Sequence, residues 1–262
     1  MKQICADLKA EHDALETILS DLDEAGWARP TPSPGWNVRD QIRHLAYFDD
    51  RAALAASDPK AFEQSLKEIM ADLEGFIKFL DRVGLDRSIP ELLDWWRSER
   101  AKMLAAYETL GPKDRLPWYG LPMSAKSHAT ARLMETWAHG QDVFDALGRQ
   151  RTNTDRLRHI AHLGVTTFGW SYMNRGLEIP KVPVRVELTA PSGELWTWGP
   201  EDAANRVTGS AEGFCLVVAQ RRHVDDVGLK TVGDTARDWM EKAQCFAGPP
   251  TDGPKPGDRV PA

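Results

Sequence analysis

Between residues 131 and 148 the chain reads ARLMETWAHGQDVFDALG, and four side chains able to bind protons, metals or anions recur there at steps of three and four. They are Arg132, Glu135, His139 and Asp142. An α-helix turns about every 3.6 residues, so the four share one face, and His128 begins the same stripe one turn earlier. Glu135 and His139, at i and i+4, can reach one point above the helix and offer a carboxylate and an imidazole to a divalent cation. A pair is weak evidence by itself. On spacing alone the commoner outcome is a solvated helix face with an ion pair.

A third donor is His44, in PGWNVRDQIRHLAYFDD, on a face with Gln41, Phe48 and Arg51 and flanked by Ile42 and Leu45. A lone histidine beside a core face is more often structural than ligating. Helical bundles nevertheless build metal sites from side chains on facing helices. His44, Glu135 and His139 together would form a His₂Glu set with at least one position open to water or substrate. That composition suits catalytic zinc, which polarises oxygen or sulfur and lowers the pKa of what it binds. Nickel, manganese and iron accept the same donors, so ligand type does not choose the metal. Of the other histidines, His12 falls on the stripe Cys5, Leu8, His12, Leu15, Leu19, which suits a buried structural or pocket-wall place. His159 and His162 lie among polar residues that read as solvated. His223 follows Arg221 and Arg222 at a helix end, where a cation complements the dipole.

The elements that must hold these residues are mostly helices. Apolar spacing predicts a helix over residues 4–22, followed by GWARPTPSPGW, whose three prolines and two glycines enforce an extended connection. Asn37 reads as the N-cap of a helix reaching about residue 56. Pro59 opens a third helix that continues to Gly84. A fourth starts near Pro90 and carries Leu92, Leu93, Trp96, Met103 and Tyr107. GPKDRLPWYGLPMS forms a loop, the opening stretch is helix five, and a sixth helix covers residues 155–174. After Gly176 the period changes: VPVRVELTAP alternates, and GELWTWG and NRVTGS are short strand candidates. Helices are predicted over residues 211–222 behind Ser210 and 235–246 behind Asp234. The end, AGPPTDGPKPGDRVPA, reads as a mobile tail. The fold class is therefore α followed by α+β: a helical bundle over residues 1–175, a small α+β domain over 176–248 and a tail over 249–262. No internal repeat is evident.

Bulk properties narrow the function classes. The chain has 262 residues, 42% hydrophobic and 27% charged, as in an ordinary globular protein. A net charge of −6 argues against a general nucleic-acid binder. No apolar run is long enough for a membrane span, and the N-terminus reads as a charged amphipathic helix rather than a signal peptide. The three cysteines, Cys5, Cys215 and Cys245, are odd in number and far apart, so a disulfide framework is not expected and a cytoplasmic location is. The 10 tryptophans are numerous enough to supply pocket walls as well as core. A monomer and a homodimer are both compatible with the sequence.

At this level TPSPGWNVRDQIRHLAYFD resembles the first motif of the DinB-like metalloenzymes, in the branch of mycothiol-dependent maleylpyruvate isomerases. ARLMETWAHGQDVFDALG resembles the second motif. VTGSAEGFCLVVAQRRHVDD and GDTARDWMEKAQCFAGPP resemble the smaller α+β domain that accompanies the bundle, so the likeness spans nearly the whole chain. The resemblance implies a DinB-like four-helix core with additional helices. It also implies one divalent metal, usually zinc, held at the positions of His44, Glu135 and His139. In such enzymes the metal holds the thiol of mycothiol as a thiolate that adds to an activated electrophile, and coordination does deprotonate a thiol near neutral pH. The implied partners are a low-molecular-weight thiol and a small-molecule substrate.

Around that site, Arg132 suits a substrate carboxylate or enolate, against a salt bridge to Glu135 or Asp142. His128 is a general base or a plain helix-start residue. Asp142 is expected to orient His139 as a cofactor-supporting residue. Arg222, from the second domain, is the candidate to close the pocket over thiol and substrate. Two other readings stay open: a thiol-independent Lewis-acid isomerase, cyclase or hydrolase, and a non-catalytic metal- or ligand-binding protein.

Overall fold

A computed structural model describes residues 1–259. The chain divides into two compact units, 1–147 and 148–262. The first contains α1 (Lys2–Leu19), α2 (Glu24–Trp27), α3 (Val38–Ser57), α4 (Pro59–Ala71), α5 (Leu73–Arg82), α6 (Ile89–Glu108), a small hairpin of β1 (Arg115–Leu116) and β2 (Met123–Ser124), and α7 (Ala125–Ala146). Helices α1, α3, α6 and α7 pack on one another as a four-helix core. Their contact is apolar: Leu15, Ile18 and Leu19 from α1, Ile42 and Leu45 from α3, Leu92 and Trp96 from α6, and Val143 from α7 form one buried cluster. Burying a side chain of this size stabilises the fold by about 1.5–3 kcal/mol, so the bundle rests on this seam.

Side-chain caps set where the helices begin. Asn37 and Asp40 form a reciprocal capping box at the start of α3. Ser88 and Glu91 do the same for α6, and the Ser124 hydroxyl accepts from the Ser127 amide at α7. The single helix expected over 59–84 is two, because Asp72 leaves helical geometry and its carboxylate caps the Gly75 amide at 2.8 Å. Helix α7 is buried on almost every side, including His128, Arg132, His139 and Asp142. Its polar stripe is therefore internal, not a solvated face.

The second unit holds α8 (Leu157–Thr166), α9 (Phe168–Met173), β3 (Val184–Thr189), β4 (Leu195–Trp198), β5 (Asn205–Ser210), α10 (Ala211–Val218), a 3₁₀ turn at Val224–Asp226, β6 (Lys230–Val232) and α11 (Asp234–Lys242). The sheet order is β4-β3-β5-β6, with β3 and β5 parallel and the outer strands antiparallel to their neighbours. The structural division falls at 147/148 rather than at 175/176, and the cause is the packing of α8 on α10. Gly164 lets that contact close: a Cβ there would lie 2.8 Å from Val218 and 2.9 Å from Phe214. The helix expected over 155–174 is interrupted at Thr167.

Helix α10 stops at Val218, short of residue 222. Gln220 takes a left-handed backbone (φ 54°), and the Arg221 and Arg222 amides turn back to the Leu216 carbonyl. Helix α11 likewise ends at Lys242 rather than 246. Of the expected tail, the segment from residue 249 folds back onto its own unit. Gln220 Nε2 donates to the Thr251 carbonyl at 2.7 Å, and the Gly257 amide donates to Asp226 at 3.0 Å. Residues 260–262 lie outside the described part. Among the described residues no helix is long and apolar enough to cross a membrane.

Candidate metal centre

Helix α3 packs against α7, and this contact brings together donors that are far apart in sequence. The capping box fixes the start of α3 one turn before Gln41 and two turns before His44. On α7 the i, i+4 spacing places Glu135 below His139, facing His44. One donor atom from each of His44, Glu135 and His139 lies within 4.8 Å of the other two. Glu135 Oε2 is 3.8 Å from His44 Nε2 and 3.2 Å from His139 Nε2, and the two imidazole centroids are 4.3 Å apart. Two donors each about 2.1 Å from one tetrahedral cation sit about 3.4 Å apart, so these spacings fit a divalent ion.

The electrostatics agree with ligation. Burial, joined by the neighbouring His139 and Arg132, pulls the His44 pKa down to about 4, so its imidazole is neutral at pH 7, the form that binds metal. Burial alone would raise the Glu135 pKa. The contacts from His139 and His44, with the charge of Arg132, outweigh it and hold the carboxyl well below its usual range. Aromatic rings wall the site. Trp36 lies 5.3 Å from His44 and stacks on His139 at 5.9 Å, while Phe48 lies 4.6 Å from His44. Behind Phe48 the aromatic wall continues through Tyr47 and Tyr119.

The other expected site residues have the following surroundings. Arg132 is 2% exposed, and its Nε and Nη2 donate to Asp49 Oδ1 at 3.0 and 2.8 Å. A guanidinium held in that buried pair does not reach out to a substrate carboxylate, and neither anticipated partner, Glu135 or Asp142, is the one it takes. The other Asp49 oxygen accepts from Trp96 Nε1 at 3.2 Å and lies 3.8 Å from His12 Nε2, so α1, α3, α6 and α7 each contribute to one buried polar cluster. His128 is also buried. Its Nδ1 lies 2.5 Å from the Tyr107 hydroxyl and Trp118 packs edge-on at 4.5 Å, and it is not one of the three residues whose donor atoms converge. Arg222 lies beyond α10 in the second unit, buried, with Nη1 donating to the Arg221 carbonyl at 2.7 Å. His223 caps the 3₁₀ turn through Nδ1 rather than closing a helix C-terminus.

Asp142 was expected to orient His139, but the hydrogen-bond partner of His139 Nδ1 is Gln41 Oε1, at 2.5 Å. Asp142 instead accepts from Ser33 Oγ at 2.9 Å and ties α7 to the proline-rich loop. Gln41 and Asp49 are the residues that sequence reasoning passed over. Gln41 stood on the same predicted face as His44, three residues before it, which was the available signal. Asp49 carried none, because its partner is 83 residues away.

Comparison with known proteins adds to this geometry. The family described as Mycothiol maleylpyruvate isomerase N-terminal domain matches residues 8–144, and the one described as Wyosine base formation matches residues 180–231. Two uncharacterised proteins of Mycobacterium tuberculosis, from strains CDC 1551 / Oshkosh and ATCC 25618 / H37Rv, are each 46% identical over 248 residues. The match covers 95% of this chain and 96% of theirs. Crystal structures of the mycothiol-dependent maleylpyruvate isomerase and of a mutant of it share the fold. Each has a TM-score of 0.55 and 17% identity, covering 88% of this chain and 92% of theirs.

Proposed function

The chain belongs to the mycothiol maleylpyruvate isomerase N-terminal domain family, and from that premise we propose a divalent-metal-dependent enzyme that adds a thiolate to an activated small-molecule electrophile. The thiol is mycothiol or a close low-molecular-weight relative. The observation that carries this reading is the convergence of His44, Glu135 and His139 from two distant stretches of chain onto one point.

In this reading His44 and His139 each contribute Nε2 and Glu135 a carboxylate oxygen to one divalent ion, zinc before nickel, manganese or iron. When bound, that ion supplies Lewis acidity, which keeps a coordinated thiol deprotonated near neutral pH. The ionised Glu135 contributes the one anionic donor of the set. Arg132, paired with Asp49, is not taken as a substrate-binding group, and its charge adds the smallest share, behind His139 and His44, to keeping Glu135 ionised. Trp36 and Phe48 cover the imidazole faces and limit water beside the sulfur. With a thiolate so held, addition to the electrophilic carbon would break the C=C π bond and leave the electron pair on the adjacent carbon as an enolate; return of that pair with loss of the thiolate after bond rotation would give an isomer, and protonation of that carbon would give a thioether. A reducing cytoplasm suits such chemistry, in keeping with the buried free thiols of Cys5 and Cys215.

Metal analysis and calorimetry test the proposal. Purified protein is expected to carry about one divalent ion per chain, and His44→Ala and Glu135→Ala to lose it. Full retention of metal in both variants overturns the ligand set. Titration with mycothiol is expected to give saturable heat. Its absence at millimolar thiol turns the assignment to a thiol-independent Lewis-acid isomerase, cyclase or hydrolase.

A further inference from the structure

Gln41 is fully buried on the α3 face that carries His44, and its amide stands between His139 and the loop before α3. We propose that Gln41, locked in orientation by Thr31, is a positioning residue that fixes the proton of His139 on Nδ1 and so prepares Nε2 as a donor before metal binds. The inference rests on His139 being a ligand, as proposed above.

The Trp36 carbonyl oxygen can only accept. Thr31 Oγ1 lies 3.0 Å from it and donates its single proton there. The Thr31 oxygen is then left as an acceptor for Gln41, whose Nε2 is 2.8 Å away. Donation through Nε2 orients the amide so that Oε1 faces His139 Nδ1 at 2.5 Å, and an amide oxygen only accepts. His139 must therefore carry a proton on Nδ1.

The consequence is felt on the other side of the ring. Nε2 of His139 faces Glu135 Oε2 at 3.2 Å. With Nδ1 committed to Gln41, Nε2 is the ring atom left to face the carboxylate, and the space between the two suits a positive charge. A divalent cation meets that demand and draws on His44 at the same time. Ligating histidines commonly donate their second nitrogen to a nearby acceptor, which fixes tautomer and ring angle. Here the acceptor is a neutral amide, and its own orientation is set by a hydroxyl and a backbone carbonyl. Trp36, whose carbonyl ends the relay, also stacks on His139, so one loop controls both the plane and the proton of that ring.

The test uses zinc alone as the probe. Imidazole ¹⁵N spectra, recorded with and without zinc, report where the His139 protons are, and competition with a chromophoric chelator reports zinc affinity. Wild type is expected to show an Nδ1 proton on His139 in both states. Gln41→Leu should lose its protection from exchange and bind zinc about 10–100-fold more weakly. Gln41→Glu, which keeps an acceptor at Oε1, should restore affinity to within a few-fold of wild type, and Thr31→Val should fall between the two. The proposal is overturned if Gln41→Leu binds zinc as wild type does, if Gln41→Glu is as weak as Gln41→Leu, or if wild-type His139 carries no Nδ1 proton. Failure of the ligand assignment is a separate result: wild type then takes up no zinc, while the Nδ1 proton still answers for Gln41.

Discussion

Polar side chains buried along α7 must find partners or stay uncharged, and the two outcomes occur side by side. Arg132 finds Asp49, and breaking such a pair from one side costs about 3–5 kcal/mol because the remaining charge is stranded. His128 stays neutral. Burial, with the nearby charge of Arg132, pulls its pKa down to about 3, against about 6.5 for an unfolded histidine. Across that window the unfolded chain binds one more proton than the folded one at this residue, so stability falls as pH drops below about 6.5. The contribution approaches about 1.4 kcal/mol per pH unit until the folded pKa is reached. Urea unfolding midpoints of wild type should therefore fall more steeply from pH 7 to pH 5 than those of His128→Gln, and parallel curves would refute the assignment. Spacing put Glu135 and His139 on one face, because i, i+4 geometry is local, and the resemblance of two motifs added His44 to the candidate set. It could not say that Arg132 is spoken for, since Asp49 reaches it only through the packing of α3 on α7.

Positioning of the donors is a property of elements. Helix α3 begins where the Asn37–Asp40 box satisfies its first amides, and the preceding loop is clasped from several sides. Ser33 holds Asp142, Thr31 holds Gln41, and Pro30 bridges to Asn37. Asn37→Ala should cost about 1 kcal/mol of stability in denaturant unfolding. It should also weaken zinc binding a few-fold in chelator competition, because the loop that carries Trp36 and Thr31 loses its anchor. A stability loss with unchanged zinc affinity would separate the cap from the site. The Asn37 cap, the Pro59 start, the core face of α3 and the strands at β3 and β5 could all be read from residue types. The pieces missed were α2, β1, β2, β6 and the 3₁₀ turn, each two to four residues and too short to display a period. The interruptions at Asp72 and Thr167 were hidden because apolar spacing continues through both.

For the molecule as a whole, a ligand that binds only the folded state stabilises it by mass action, about 2.7 kcal/mol at one hundred times its dissociation constant. Zinc should raise the melting temperature of wild type and a strong chelator should lower it, whereas Glu135→Ala should respond to neither. An equal response in the variant would place the stabilising metal elsewhere. The bundle owes its stability to the apolar seam of α1, α3, α6 and α7, and the second unit to its own sheet and helices, with α8 belonging there through Gly164. By itself the sequence determined the order of bundle and α+β unit, most helix starts and the pairing of Glu135 with His139 on one helix face, because caps, periodicity and i, i+4 spacing act within one or two helical turns; His44 joined them as a candidate through the resemblance of the two motifs. Only the tertiary structure decided that the α7 stripe is internal, that Arg132 answers to Asp49, that Gln41 and not Asp142 holds His139, and that α8 joins the second unit. Each of these depends on side chains meeting across helices, and no local pattern encodes which distant partner a buried polar group will satisfy.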